Sequence, residues 1–262
     1  MERFELPLPP QGLVFPQAPQ LVATVILWVL VAACLLYSLW EWRRTRQPLA
    51  LLLTLGGAIS YLNEPIDDVL GLLWHPHPRQ WVAIDTFGPA PLWGLGIYTI
   101  FFGTMSYLLL LQARRGITRQ QLWGGILLFF VIDLLCELPL LHYGLYVYYG
   151  EPPLQLLGLP LYWLFINIGG PLMVVALLLR APQLFSGWRL LTLPLLPMTA
   201  DAAGSIAAGW PIFSALNTPG ASAGLKLAAA LLTMGLGVLI VDGLAAAICR
   251  APSRDADGRV TA

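Results

Sequence analysis

Charged residues and cysteines are scarce in this chain, and each scarcity excludes a class of protein. Of its 262 residues, 11% are charged and 58% are hydrophobic. Soluble domains carry roughly 25% charged residues, so the composition predicts a multi-pass protein of the cell membrane, in contact with the lipid bilayer. The three cysteines are widely separated and form no CxxC pair, so we expect them to be buried apolar residues. The net charge is zero, and no nucleic-acid partner is expected.

Motifs for common cofactors are also missing from the sequence. No glycine-rich stretch continues into a phosphate-binding pattern, so no nucleotide site is predicted. His75 and His77 could bind a metal together with His142 and Glu137, but they lack the i, i+4 spacing of helical metal sites. We therefore interpret these histidines as surface or supporting residues, and we expect no metal and no cofactor.

Seven apolar stretches are long enough to cross a bilayer, which takes roughly 20 residues. The chain is therefore predicted to be an all-α integral membrane protein, a bundle of seven transmembrane helices in one domain covering residues 1–262. Residues 1–20 are a Pro-rich N-terminal segment, and residues 251–262 are expected to be a disordered cytoplasmic tail. The predicted spans are Leu21–Trp40, Leu49–Trp74, Leu92–Gln112, Leu122–Leu141, Leu159–Leu179, Leu190–Ala208 and Lys226–Ile248.

Basic residues lie mostly on one side of these spans. Eleven arginines fall in the first, third and fifth loops and in the tail, whereas Arg3, Arg79 and Lys226 lie on the other side. Because basic loops stay in the cytoplasm, the amino terminus is predicted to lie outside and the carboxyl terminus in the cytoplasm. The eleven are Arg43, Arg44, Arg46, Arg114, Arg115, Arg119, Arg180, Arg189, Arg250, Arg254 and Arg259.

Carboxylates interrupt the apolar stretches, and with this orientation they share one depth. Asp133 and Glu137 lie four residues apart, hence on the same face of the fourth span. Glu64 and Asp68, near the outer end of the second span, and Asp201, in the sixth, also lie toward the outer side. An ionisable group at membrane depth costs roughly 2.5–3.5 kcal/mol on insertion scales, so we expect these side chains to point into the bundle and meet.

Several carboxyl groups in a water-poor pocket cannot all be ionised, so a neutral acid is expected beside a carboxylate. This pairing suits general acid–base catalysis, and we predict Glu64, Asp68, Asp133 and Glu137 as catalytic residues. Pro65, which lacks an amide hydrogen, would loosen the helix and let Glu64 face a cavity. The predicted substrate-binding residues are Asn63, Asp67, Trp74, Trp81, Tyr146, Tyr148, Trp163, Asn167 and Asp201. An alternative, in which Asp133 and Glu137 only hydrogen-bond to neighbouring helices, stays open.

Three blocks of this sequence, between Gly56 and Pro171, resemble the AveC-type spirocyclase family. The blocks are Asn63-Glu64-Pro65…Asp68…Gly71-Leu72-Leu73-Trp74 with Trp81, Phe87-Gly88 and Pro91-Leu92-Trp93; Asp133…Glu137-Leu138-Pro139 followed by Gly144-Leu145-Tyr146-Val147-Tyr148-Tyr149-Gly150; and Pro160-Leu161-Tyr162-Trp163…Asn167…Gly169-Gly170-Pro171. The resemblance implies a bacterial membrane enzyme of polyketide tailoring, a cofactor-independent spirocyclase and dehydratase. It also implies the same four catalytic carboxyl groups, without assigning acid and base among them.

Two other functions would fit the same pattern. A membrane terpene cyclase, for a meroterpenoid or carotenoid, protonates an epoxide or alkene and uses aromatic rings to guide the cation. Its substrate, like a polyketide, would be an apolar small molecule. A proton-coupled transporter or sensor is the second alternative, but a proton relay would need acids at successive depths, and only Asp242 lies toward the cytoplasm.

Overall fold

Helices dominate the computed structural model, with 72% of the residues, and six of them are long and apolar enough to cross a membrane. The structure describes residues 7–249, and beyond them only 253–254 and 260–261. The prediction of a multi-pass helical membrane protein is confirmed at this level. The six are Gln17–Thr45, Leu49–Gly71, Leu92–Arg114, Arg119–His142, Tyr162–Arg180 and Ala223–Cys249, three of which contain short interruptions.

Short breaks, as well as loops, separate the α-helices from one another. In the described residues they are α1 (Gln17–Thr45), α2 (Leu49–Ser60), α3 (Glu64–Gly71), α4 (Leu92–Tyr98), α5 (Ser106–Arg114), α6 (Arg119–His142), α7 (Tyr162–Asn167), α8 (Gly169–Arg180), α9 (Leu195–Leu216) and α10 (Ala223–Cys249). The Pro-rich segment predicted over 1–20 therefore ends inside α1.

Short antiparallel strand pairs tie the loops together. The pairs are β1 (Leu73–Trp74) with β4 (Val147–Tyr148), β2 (Val82–Thr86) with β3 (Gly88–Pro91), β5 (Gln155–Leu156) with β6 (Leu159–Pro160), and β7 (Ser253–Arg254) with β8 (Val260–Thr261). The β1–β4 pair joins the loop after α3 to the loop after α6, with Leu73 opposite Tyr148. Apart from β7 and β8, the tail predicted over 251–262 lies outside the described residues.

The second span breaks where the sequence predicts it. A 3-10 turn, Tyr61–Asn63, separates α2 from α3, and Pro65 lies in the first turn of α3. Proline has no amide hydrogen to donate to the preceding turn, so the regular ladder of α2 cannot continue through it. The break starts a new helix at Glu64 and so orients that side chain independently of α2.

The third span is also irregular, because a π-helical segment, Thr99–Met105, joins α4 to α5. This segment packs against α2 at very short range. A Cβ on Gly57 would lie 2.6 Å from the amide nitrogen of Gly103. Hydroxyl groups cross the same contact, with Thr54 Oγ1 3.1 Å from Thr104 Oγ1 and 2.9 Å from Ser38 Oγ. The glycines therefore allow the two backbones to approach closely, and the hydroxyl hydrogen bonds stabilise the contact.

The sixth predicted span, Leu190–Ala208, is shifted in the structure. The chain after α8 forms 3-10 turns, Pro182–Phe185 and Gly187–Thr192, and α9 begins only at Leu195. A Cβ on Gly56 would lie 2.7 Å from the Pro194 carbonyl oxygen, so α9 starts against the middle of α2. With 22 residues α9 is long enough to cross a membrane, but it is less apolar than the other six helices.

The two ends of the bundle differ in their contacts. At one end the loops join later helices, since Asn217 Nδ2 donates to the Leu70 carbonyl and Lys226 Nζ to that of Gly150. At the other end Arg119 pairs with Asp242, and Arg180 Nε donates to the Ala247 carbonyl at 2.7 Å. Arg119 and Arg180 therefore lie at the end of the bundle opposite the loops that follow α3 and α6.

Candidate active site

A cavity of about 1100 Å³ lies between α1, α4, α5, α6 and α8. Most of its lining is apolar, with Leu27 of α1 and Ile132 of α6 on facing walls. Five carboxyl groups line it: Glu64, Asp67, Asp68, Asp133 and Glu137. Only 11% of the apolar stretch of α1 and 6% of that of α6 is buried, so these two helices contribute walls whose outer faces are largely exposed. A cavity of this size accommodates a drug-sized molecule.

The first polar cluster lies on α3 and the segment that follows it. Glu64 and Asp68 are one helical turn apart, so both side chains lie on the same face of α3. The helix ends at Leu72, whose φ of 52° is left-handed, and the chain turns back over the helix. The turn places His75 Nε2 3.4 Å from Glu64 Oε1 and 3.6 Å from Asp68 Oδ2.

His75 is held firmly in this cluster. The side chain follows β1 directly, and the β1–β4 ladder brings its Nδ1 atom to 3.4 Å from the Leu145 carbonyl oxygen. The rings of Trp93 and Tyr146 pack on it at centroid distances of 5.8 and 5.7 Å. The residue is 3% exposed. Of the two predicted roles, surface or supporting, His75 is not at the surface, because pairing of two distant loops buries it beside Glu64 and Asp68.

The second polar cluster is built on α6. Tyr146 donates a hydrogen bond to Glu137 Oε2, and Glu64 is near enough to Glu137 for their charges to interact. Burial, reinforced by the Glu137 carboxylate, raises the pKa of Tyr146 well above its usual value near 10. The tyrosine therefore keeps its proton at neutral pH and acts as a donor to Glu137.

Asp133 lies one turn before Glu137 on the same face of α6. The Asn167 side chain, at the end of α7, lies close enough to interact with it. Both residues line the cavity. Helix α6 therefore presents a pair of carboxyl groups to the cavity, and each has a neutral partner from another element.

A third polar group links the turn before α3 to α9. Asn63 Nδ2 donates to Asp201 Oδ2 at 2.8 Å and to the Met198 carbonyl at 2.9 Å. Asp201 is 2% exposed and has Ser205 Oγ 3.4 Å from its Oδ1. Asp67 is close enough to interact electrostatically with Asp201. This group joins α3 to α9 and supports the helix that carries Glu64 and Asp68.

Nine of the thirteen residues predicted from the sequence line the cavity. They are Glu64, Asp67, Asp68, Asp133, Glu137, Tyr146, Tyr148, Trp163 and Asn167. The four carboxyl groups predicted to be catalytic are all in this set. The structure thus brings together groups that lie up to 73 positions apart in the sequence, from 64 to 137.

Four predicted substrate-binding residues do not line the cavity. Trp74 packs on His77 at a ring distance of 4.1 Å, and Trp81 is 39% exposed, with its amide bonded to the side chain of Gln20. The loop that carries Trp81 is hydrogen-bonded to the N-terminal end of α1, with Gln17 Nε2 donating to the Arg79 carbonyl oxygen at 2.8 Å. Asn63 and Asp201 bond to each other instead, on the far side of α3.

Sequence reasoning missed Tyr98 and undervalued Trp93. Both line the cavity, and Tyr98 is within hydrogen-bonding reach of Glu64. A tyrosine in an apolar span is typical of ordinary core packing. The one signal in the sequence was its place near the end of the span that is predicted to lie outside. Trp93 Nε1 and Trp163 Nε1 are buried without a hydrogen-bond partner in the described residues. Buried donors of this kind are rare in proteins, and these two belong to residues of the cavity wall.

No family model, curated protein or solved structure matches this chain. The class of protein therefore rests on the fold and on the cavity. Six apolar helices indicate a multi-pass membrane protein. Within it, carboxyl groups from two helices face one apolar cavity beside a buried histidine and several aromatic rings.

Proposed function

We propose that this protein is a membrane-embedded cyclase or dehydratase that acts on an apolar, oxygenated substrate by carboxylic acid–base catalysis. The observation that supports it most is the meeting of Glu64, Asp68 and Glu137 at the polar part of an otherwise apolar cavity. Spiroketal formation from a polyketide-like keto-diol, as in AveC-type spirocyclases, is the reaction we favour.

The proposal includes the arrangement in the membrane. We propose that α9 is the seventh span, that the amino terminus lies outside, and that the carboxyl terminus lies in the cytoplasm. The orientation is supported by Arg119 and Arg180, which lie at the end opposite the loops that follow α3 and α6. Basic residues stay on the cytoplasmic side. The polar part of the cavity would then face the outer leaflet.

The substrate would enter from the bilayer between α1 and α6, whose apolar side chains border the lipid. An apolar molecule partitions into the membrane and would reach the cavity without crossing water. The two unpaired indole N–H groups, on Trp93 and Trp163, are suited to bind oxygen atoms of such a substrate. Both are donors only, so they favour carbonyl, ether or hydroxyl oxygens.

Ring closure to a spiroketal needs proton transfer at two points. A neutral carboxyl group, Glu137 or Asp133, gives a proton to the hydroxyl of a hemiketal, and water leaves to give an oxocarbenium ion. A second hydroxyl attacks this cation, and its proton passes to a carboxylate of the Glu64–Asp68 pair. Tyr146, Tyr148 and Trp93 would stabilise the cation through their ring faces. A water-poor cavity favours the dehydration.

A membrane terpene cyclase is the second candidate, and the aromatic lining favours it equally. There the neutral carboxyl group protonates an epoxide or alkene, and ring faces guide a carbocation. A proton-coupled transporter is supported less. Within the described residues, the carboxyl groups that line the cavity lie toward one end, and Gln112 and Arg115 lie at the other.

Paired substrates test the proposal. The protein in nanodiscs is incubated with a long-chain keto-diol or with an epoxyprenyl compound, and products are identified by mass spectrometry. We expect loss of water from the keto-diol, with turnover abolished by Glu64→Gln and, separately, by Glu137→Gln. Asp242→Asn is the matched control, because this carboxylate lies in an apolar helix but pairs with Arg119 away from the cavity. Full activity of both glutamine variants would refute the assignment, and turnover of the epoxide alone would favour the terpene cyclase.

A further inference from the structure

We propose that Glu64, Asp68 and His75 form a binding site for a divalent transition-metal cation, with Zn²⁺ as the reference ion. The three side chains each offer one ligand atom, and these atoms all lie within 4.8 Å of one another. The sequence did not predict this site, because the histidine and the carboxylates come from different local structures.

The two distances from His75 Nε2 fit a cation better than they fit a pair of charge-assisted hydrogen bonds. Two ligands at about 2.1 Å from a tetrahedral Zn²⁺ lie about 3.4 Å apart. The distances from His75 Nε2 are 3.4 Å to Glu64 Oε1 and 3.6 Å to Asp68 Oδ2. A protonated imidazole between two carboxylates would draw the oxygens to about 2.7–2.9 Å. The observed spacing leaves room for an ion between the three atoms.

The orientation of the imidazole supports the same conclusion. His75 Nδ1 faces the Leu145 carbonyl oxygen at 3.4 Å, so a proton on Nδ1 leaves the lone pair of Nε2 directed at the carboxylates. Histidine ligands of metals are held in this way, with the other ring nitrogen toward a carbonyl or carboxylate. The β1–β4 ladder and the rings of Trp93 and Tyr146 fix the imidazole in place before any ion binds.

Charge gives a further argument. Glu64 and Asp68 face the cavity at membrane depth, where two unpaired carboxylates are costly. A divalent cation would neutralise both, so that the site as a whole carries no net charge. In the described residues, no lysine or arginine forms an ion pair with either of them.

The ligand set indicates the class of ion. One imidazole and two carboxylates, without a thiolate, suit Zn²⁺, Mn²⁺ or Fe²⁺, whereas Mg²⁺ prefers oxygen ligands alone. Three protein ligands leave a coordination position open, as in catalytic zinc sites. The three residues line the cavity, so that position would be reachable by a substrate oxygen.

Metal binding at this site does not depend on the proposed cyclase activity, but it would change the catalytic roles of the carboxyl groups. Glu64 and Asp68 would serve as ligands of a Lewis acid that polarises the substrate oxygen. Proton transfer would then rest on Glu137 and Asp133, which lie on α6 and are not part of the trio.

The test measures metal directly. Untagged protein in nanodiscs is stripped with a chelator, equilibrated with Zn²⁺ and dialysed, and bound zinc per chain is measured by mass spectrometry. We expect about one ion per chain, and an affinity at least about tenfold lower in His75→Gln and in Asp68→Asn. His77→Gln is the matched control, since this exposed histidine lies two residues away and stacks on Trp74. Its affinity should equal that of the parent.

Several outcomes separate the two proposals. Absence of bound zinc, or equal affinity in His75→Gln and the parent, would overturn the metal site even if keto-diol turnover is intact. Bound zinc with no turnover of either substrate would leave the metal site standing and count against the proposed function. If His75→Gln does not fold, Glu64→Gln replaces it, and a zinc-dependent rise in the unfolding temperature of the parent, absent in Glu64→Gln, gives the same answer.

Discussion

Tyr146→Phe offers a sharp test of how Glu137 is held. The substitution keeps the ring, which packs on His75 and Trp93, and removes only the hydroxyl that donates to Glu137. A hydrogen bond to a neutral carboxyl group contributes about 0.5–1.5 kcal/mol, and 1.4 kcal/mol corresponds to a factor of ten. If this bond positions the catalytic carboxyl group, kcat should fall about 2- to 10-fold, with little change in KM.

A double-mutant cycle shows whether Tyr146 acts through Glu137. Glu137→Gln alone should lower kcat by about 10²- to 10⁴-fold, the range for a general acid or base. If Tyr146 acts only through that carboxyl group, the double variant should be no slower than Glu137→Gln, within about twofold. The assay is steady-state turnover in nanodiscs, with Tyr143→Phe as the control, because Tyr143 is 59% exposed and does not line the cavity. Losses that simply add on a logarithmic scale would refute the positioning role.

Three further predictions concern packing, pH and specificity. Gly57→Ala should lower the free energy of unfolding by about 1–3 kcal/mol, because its Cβ would meet backbone 2.6 Å away. Gly124→Ala, with nothing within 4 Å, should not, and equal thermal unfolding of both would contradict the helix contact. Burial, reinforced by a neighbouring carboxylate, raises the pKa of Tyr148 well above 10, so stability should fall as pH rises past about 10, where the unfolded chain loses its proton first. Tyr148→Phe should reduce that fall in thermal melts, and an unchanged slope would contradict it. Trp81→Ala should leave KM unchanged while Trp163→Ala raises it, and the reverse result would restore the prediction made from the sequence.

Much of the fold follows from local features of the sequence. The hydrophobic stretches predict the helices to within a few residues, and Pro65 predicts the break before α3, because a missing amide hydrogen acts locally. The position of α9 could not be predicted in the same way. Residues 182–192 are apolar enough to extend a span, but they form 3-10 turns, and the start of α9 is set by its contact with Gly56.

The carboxyl groups of the site could be predicted because depth in a membrane is a strong constraint. The charge on the loops predicts an orientation of the spans, and that orientation predicts a similar depth for Glu64 and Glu137. His75 could not be predicted as a partner, since the β1–β4 pairing that buries it joins residues more than 70 positions apart. Trp74 and Trp81 do not line the cavity for a related reason: the sequence shows that a ring lies near a loop but not the side on which it packs.

The central claim is that Glu137 and its neighbours share one apolar cavity that is reached from the lipid. Labelling with a lipid-soluble carbodiimide, which modifies carboxyl groups that hold a proton in apolar surroundings, tests this most directly when the labelled residues are mapped by mass spectrometry. We expect modification of Glu137 or Asp133, little modification of Asp242, and loss of the main label in Glu137→Gln or Asp133→Asn. Preferential labelling of Asp242, with Glu64, Asp133 and Glu137 all unmodified, would contradict the claim.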